Sequence, residues 1–133
     1  MNLIVIDDEP IQHFIMGKML TLYVSTATDD ITYSDNGVEV LEFLDTNRNN
    51  FANLPDIIFL DLNMPIMNGW DFLEQFKSIQ KTIIKPILIY VISSSIDPVD
   101  ISKSRRYLSV KDYIIKPMTK LALQKIFAGN QKS

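Results

Sequence analysis

Runs of apolar residues that stop abruptly at a polar group recur along the chain. Leu3-Ile4-Val5-Ile6 runs into Asp7-Asp8, Ile57-Ile58-Phe59-Leu60 into Asp61, Ile87–Ile92 into Ser93-Ser94-Ser95, and Tyr113-Ile114-Ile115 into Lys116-Pro117. Three to six apolar residues in a row, rich in Ile and Val, read as strands buried on both faces. Between them the apolar positions change to helical spacing. Ile11, Phe14, Ile15 and Met19 predict a helix from Pro10 to about Tyr23, with proline suited to a first turn whose N–H has no partner. Ile31–Ser34 predicts a short second strand, Asp35-Asn36-Gly37 a turn, and Val38, Leu41, Phe43 and Leu44 a second helix that ends in the polar stretch Thr46–Asn50. The third strand is expected over Asp56–Leu60 and, after a loop Asn63–Gly69, a third helix over about Trp70–Ile79. The fourth helix, capped by Asp97 or Asp100, should reach about Leu108. Asp112–Ile115 is the fifth strand, Thr119 caps a fifth helix to about Phe127, and Gly129–Ser133 should fray.

Strand then helix, five times over, implies an α/β fold: a doubly wound parallel sheet with helices on both faces, because parallel crossovers need a helix and are right-handed. If the charged strand ends are neighbours, they meet at the carboxyl edge, where open α/β sheets place their sites. Three carboxylates and an ammonium gathered there describe a pocket for a divalent cation and a phosphoryl group. The Asp7-Asp8 pair alone would read equally well as a solvated turn opening a helix. Asp61 and Lys116 at matching strand ends make that reading hard to sustain.

Composition narrows the classes. The 133 residues suit one domain, taken as 1–133 with a core of about 3–127 and no output domain, and 47% hydrophobic content can fill its interior. A net charge of −3 with no basic stripe argues against direct nucleic-acid binding. No cysteine is present, so disulfides and thiolate metal sites are excluded, and a cytoplasmic location is expected. Met1-Asn2-Leu3-Ile4 lacks the basic start of a signal peptide, and no apolar run approaches the roughly 20 residues of a membrane helix.

Taken in order, Val5-Ile6-Asp7-Asp8-Glu9, Phe59-Leu60-Asp61-Leu62-Asn63-Met64-Pro65 with Asn68-Gly69, Val91-Ile92-Ser93 and Asp112–Pro117 resemble the motifs of a response-regulator receiver domain of two-component signalling. The stand-alone, chemotaxis-regulator type is the nearest kind. Each motif is weak alone, whereas four in order, each at a strand end, are specific. The resemblance spans about Leu3 to Phe127 and implies a flavodoxin-like strand order 2-1-3-4-5 in a three-layer (βα)5 sandwich. It also implies that Asp61 is the phosphoacceptor, taking a phosphoryl group from a phosphohistidine on a sensor histidine kinase or a histidine phosphotransfer protein. Mg²⁺, with Mn²⁺ as a substitute, would be bound by Asp8, Asp61 and the backbone carbonyl of Asn63, and by Asp7 through water. Lys116 would pair with Asp61 and then with a phosphoryl oxygen, and the Lys116–Pro117 bond is usually cis in the family.

The switch pair implied is a hydroxyl at the end of strand four and Tyr113. Ser93 follows the apolar run directly, as the family's hydroxyl does, while the usual spacing back from Lys116 points to Ser94. Ser93 is preferred, and the offset is attributed to one extra residue between it and Lys116. Signalling would then change which downstream partner binds, pass the phosphoryl group along a relay, or drive dimerisation of a monomer. Asn63 and Ser95 would lie beside the phosphoryl group. Departures from the pattern are Val40, the long loop Lys81–Lys85, and Val110-Lys111.

Three rivals compete. An aspartate-nucleophile phosphohydrolase usually places a second Asp two residues after the first, where Asn63 cannot cycle a proton. A flavin module would need a phosphate-cradling loop where acidic Asp7-Asp8-Glu9 stands. A non-phosphorylated scaffold would not require the full set Asp7, Asp8, Asp61, Ser93 and Lys116. His13, among Ile11, Phe14 and Ile15, reads as a packing or surface residue rather than a phosphohistidine. Lys103, Arg105 and Arg106 form a small basic patch, solvated or part of an output surface with Tyr113 and the fifth helix.

Overall fold

The computed structural model describes residues 1–24 and 30–130. Five parallel strands, β1 (Asn2–Ile6), β2 (Asp30–Ser34), β3 (Ile57–Asp61), β4 (Leu88–Ser93) and β5 (Val110–Ile115), form one sheet in the order β2-β1-β3-β4-β5. The helices are α1 (Pro10–Tyr23), α2 (Gly37–Thr46), α3 (Gly69–Ile79), α4 (Pro98–Ser104) and α5 (Lys120–Asn130), with a single 3-10 turn at Gln80–Thr82. The expected α/β sandwich and strand order are those observed.

Alternation along the central strands splits the core in two. Ile4, Ile6, Ile58 and Leu60 turn to the face covered by α2 and α3, against Val40, Leu44, Phe72, Leu73 and Phe76. Leu3, Val5, Ile57 and Phe59 turn to the face of α1 and α5, against Met16, Leu20, Leu123 and Phe127. Every residue of β3 is buried, as expected of a central strand with helices on both sides. Among the described residues, no helix is long and apolar enough to cross a membrane.

Some boundaries differ from expectation. Asn36-Gly37 opens α2 rather than forming a separate turn: the Asn36 side chain accepts from the Val38 N–H at 2.9 Å, an N-cap that occupies one of the helix's orphan donors. The fourth helix stops at Ser104 instead of reaching Leu108, so Arg105 and Arg106 lie beyond its end. Successive turns, Arg106 N–H to Lys103 O and Tyr107 N–H to Ser104 O, replace its last helical bonds, and Leu108 is 97% exposed. Apolar residues that do not face a core cannot hold a helix together. β5 starts earlier, at Val110, and its pairing to β4 shifts by one: Ile89 faces Val110 but Tyr90 faces Asp112. Lys111 is the extra residue of this bulge. α5 extends through Asn130, and the fraying expected beyond that point, at 131–133, lies outside the described residues.

Candidate functional site at the carboxyl edge

Each strand of the central trio delivers its terminal group to one place. β1 pairs with β3 so that Ile6 faces Leu60, and β3 pairs with β4 so that Asp61 faces Ile92. Asp7, Asp61 and Ser93 therefore leave the sheet side by side. Carboxylate oxygens of Asp7, Asp8 and Asp61 lie within 4.8 Å of one another. Lys116 follows β5, and its backbone N–H donates to Ser93 O at 2.8 Å. The Lys116–Pro117 bond is cis.

Local backbone geometry holds the acids in place. Asp7 Oδ1 accepts from the Glu9 N–H at 3.0 Å, and the Asp7 N–H donates to Ser34 O at 3.0 Å. Asp61 Oδ1 accepts a longer bond, 3.3 Å, from the Asn63 N–H. Gly69, the first residue of α3, lets the helix start press against β3. A Cβ there would lie 2.7 Å from the Asp61 carbonyl oxygen and 2.7 Å from Leu62 Cα, too close for any side chain.

The lone ammonium is shared. Lys116 Nζ lies 3.0 Å from Asp7 Oδ2, 3.6 Å from Asp61 Oδ1 and 4.0 Å from Glu9 Oε1. The expected ion pair with Asp61 is present, and beside it stands a shorter hydrogen bond to Asp7. Burial opposes its charge, but the hydrogen bond to Asp7 and the charges of Asp61, Asp7 and Glu9 outweigh that and raise its pKa. Asp61 is 3% exposed. Its burial, chiefly, and then the charge of Asp7 push it up to about 6, while Lys116 and the Asn63 N–H pull it back and Asp8 adds a little more. Negative charge is thus in surplus around one buried carboxylate, and a hard divalent cation is what such a set of oxygens accommodates.

Beyond the acids, the cleft is lined by Gln12, Ile15, Met16, Ser94 and Met118, with Pro117 and Ile92. Ser93 is fully buried at the end of β4, and its Oγ accepts from the Ser95 N–H at 3.1 Å. Ser94 is exposed and lines the cleft. The Lys111 bulge supplies one residue more between Ser93 and Lys116 than an uninterrupted register would. Tyr113 is half-buried, and its hydroxyl donates to Ser95 O at 2.9 Å. Ser93 and Tyr113 therefore meet at one residue, Ser95. The Ser95 hydroxyl itself is bonded to Asp100 Oδ2 at 2.6 Å, on the α4 side.

Some contacts had no sequence signal. Lys103 lies over the Trp70 ring at 4.4 Å, so it is not a free member of a basic patch with Arg105 and Arg106. The Tyr107 hydroxyl donates to Glu74 at 2.6 Å, and burial followed by that carboxylate pushes its pKa up to about 12. Glu9 reaches the Lys116 ammonium although only its place in the acidic run drew notice. His13 packs on Tyr33, ring centroids 5.3 Å apart, in keeping with a packing role.

A family model for the response regulator receiver domain matches residues 3–128, nearly the whole chain. The chain belongs to that family of two-component signalling domains. It is 28% identical to chemotaxis protein CheY1 of Helicobacter pylori over 93% of this chain and 91% of that protein. It is 24% identical to two-component response regulator ORR1 of Oryza sativa subsp. japonica over 94% of this chain, which spans only 53% of the rice protein. The crystal structure of a two component response regulator from Cytophaga hutchinsonii superposes with a TM-score of 0.86 at 26% identity, covering 99% of this chain and 97% of that one.

Proposed function

We propose that this chain takes a phosphoryl group onto Asp61 from a phosphohistidine on a sensor kinase or phosphotransfer protein, in the cytoplasm, and signals through the resulting change of shape. The observation that carries the reading is the Asp61 carboxylate: buried, raised to about 6, and ringed by Asp7, Asp8 and one shared ammonium. In the transfer, an Asp61 oxygen forms a bond to phosphorus as the bond from phosphorus to the histidine nitrogen breaks. The imidazole leaves with the electron pair, and an acyl phosphate remains on Asp61.

Asp8, Asp61 and the Asn63 carbonyl, with Asp7 through water, would hold Mg²⁺, and Mn²⁺ would serve in its place. The donor set fits, being all oxygen and acid-rich. Bound there, the cation would neutralise charge on the transferring group. Lys116 keeps its proton throughout and offers it to a phosphoryl oxygen, exchanging part of its hold on Asp7. Ser93 supplies the hydroxyl that turns toward the new group, and Tyr113 follows through their common contact at Ser95. The two states then differ in which partner they bind, which is a population shift.

Incubation with acetyl phosphate, followed by intact mass, tests this. Wild type should gain one phosphoryl group only with Mg²⁺ or Mn²⁺, and Asp61→Asn should gain none. Uptake by Asp61→Asn equal to wild type would refute the assignment.

A further inference from the structure

Ser95 is bonded at every polar atom. Its N–H donates to Ser93 Oγ at 3.1 Å, and its carbonyl accepts from the Tyr113 hydroxyl at 2.9 Å. Its own hydroxyl donates to Asp100 Oδ2 at 2.6 Å and accepts from the Asp97 N–H at 3.2 Å. Asp97 caps α4 through its side chain and the Val99 N–H, at 2.9 Å, and Asp100 lies in the first turn of that helix. A charged acceptor at this distance makes the Asp100 bond the strongest of the four. It fastens the loop after β4 to a helix of only seven residues, too short to be rigid without such tethers.

We propose that Asp100 is a positioning residue for the phosphoryl chemistry: through Ser95 it holds the Ser93 hydroxyl in its local turn, so that loosening this tether frees the hydroxyl for the phosphoryl group on Asp61. The proposal rests on the reading of Asp61 as phosphoacceptor and Ser93 as the hydroxyl that meets the phosphoryl group. While Asp100 grips Ser95, the Ser95 N–H stays where Ser93 Oγ accepts from it. Without that grip Ser95 is free to shift, and Ser93 loses that partner.

Two readouts on wild type, Asp100→Ala, Asp100→Asn, Ser93→Ala and the double variant Ser93→Ala/Asp100→Ala decide it. The first is amide hydrogen exchange at Ser95 in protein free of phosphodonor. Asp100→Ala should speed it about tenfold, and Asp100→Asn, whose amide oxygen still accepts, should restore the slow rate. The second is the rate of phosphoryl uptake from acetyl phosphate with Mg²⁺. Asp100→Ala should raise it about fivefold in the wild-type background and leave it unchanged in the Ser93→Ala background, because the effect runs through Ser93.

Unchanged Ser95 exchange in Asp100→Ala would overturn the proposal. So would an acceleration of uptake that persists without Ser93. If wild type took up no phosphoryl group, the phosphoacceptor reading would fail, and the exchange arm would still decide whether Asp100 holds the turn.

Discussion

Two lysines lie at opposite edges of the same sheet, both largely buried, in opposite electrostatic company. Lys85, at the amino edge, is 8% exposed and has one acid, Asp56 Oδ1 at 3.2 Å, with the carbonyls of Leu54 at 2.9 Å and Phe51 at 3.5 Å. The Phe51 ring covers it at 4.7 Å, and Asp56 also accepts from the Asn2 N–H at 2.7 Å. Charge and hydrogen bonds are balanced there, and the result is a clamp that fixes the loops before β3 and β4 to the start of β1. Lys116, at the carboxyl edge, faces three carboxylates within 4.0 Å and, among the described residues, its ammonium bonds no carbonyl. A buried ammonium that is matched holds structure together, whereas one outnumbered by acids leaves a net negative cluster of oxygens that suits a further cation. The surplus of acid, and not burial, separates the two.

Removing each lysine tests that distinction. Lys85→Met should cost about 3 kcal/mol in urea unfolding, since it leaves Asp56 and the buried Leu54 carbonyl short of a donor. Lys116→Met should cost less in metal-free protein, about 2 kcal/mol, because Asp61 can take up a proton near neutral pH and relieve the repulsion. Its phosphoryl uptake should nevertheless fall by at least about tenfold, while that of Lys85→Met stays near wild type per folded molecule. Equal costs accompanied by equal losses of uptake would erase the contrast.

Asp61→Asn should move stability the other way. The folded value of Asp61, about 6, lies above its ordinary 3.8. The folded state therefore binds more protons than the unfolded one between those values, and stability falls as pH rises through that window. Replacing the group removes this loss. With metal chelated, the variant should match wild type near pH 4 and exceed it by about 1–2 kcal/mol above pH 7. A constant difference across that range would show that Asp61 ionises without penalty.

The carboxyl-edge site was legible in the sequence because each of its groups is a charged or hydroxyl side chain placed directly after an apolar strand. The strand itself then fixes its position. The amino-edge clamp was not, because two of the three partners of Lys85 are backbone carbonyls, which leave no mark on residue identity. Lys81–Lys85 drew notice only as a long loop. The end of α4 is hidden for a related reason: Tyr107 stands at helical spacing, yet its N–H bonds Ser104 O three residues back, a backbone tightening that leaves no mark on residue identity. Ser95 stood out as a neighbour of the phosphoryl position, but its bond to Asp100 depends on where a seven-residue helix lies, and no spacing rule supplies that.

The most direct test of this account is the gain in folding stability on adding Mg²⁺, measured by urea unfolding at neutral pH in wild type, Asp8→Asn and Lys85→Met. Surplus acid at the carboxyl edge predicts that wild type gains about 2–3 kcal/mol at a Mg²⁺ concentration some hundredfold above its dissociation constant. Lys85→Met, though less stable, should gain as much, and Asp8→Asn should gain almost nothing. An undiminished gain in Asp8→Asn, or none in wild type, would contradict the claim that these acids form a cation site.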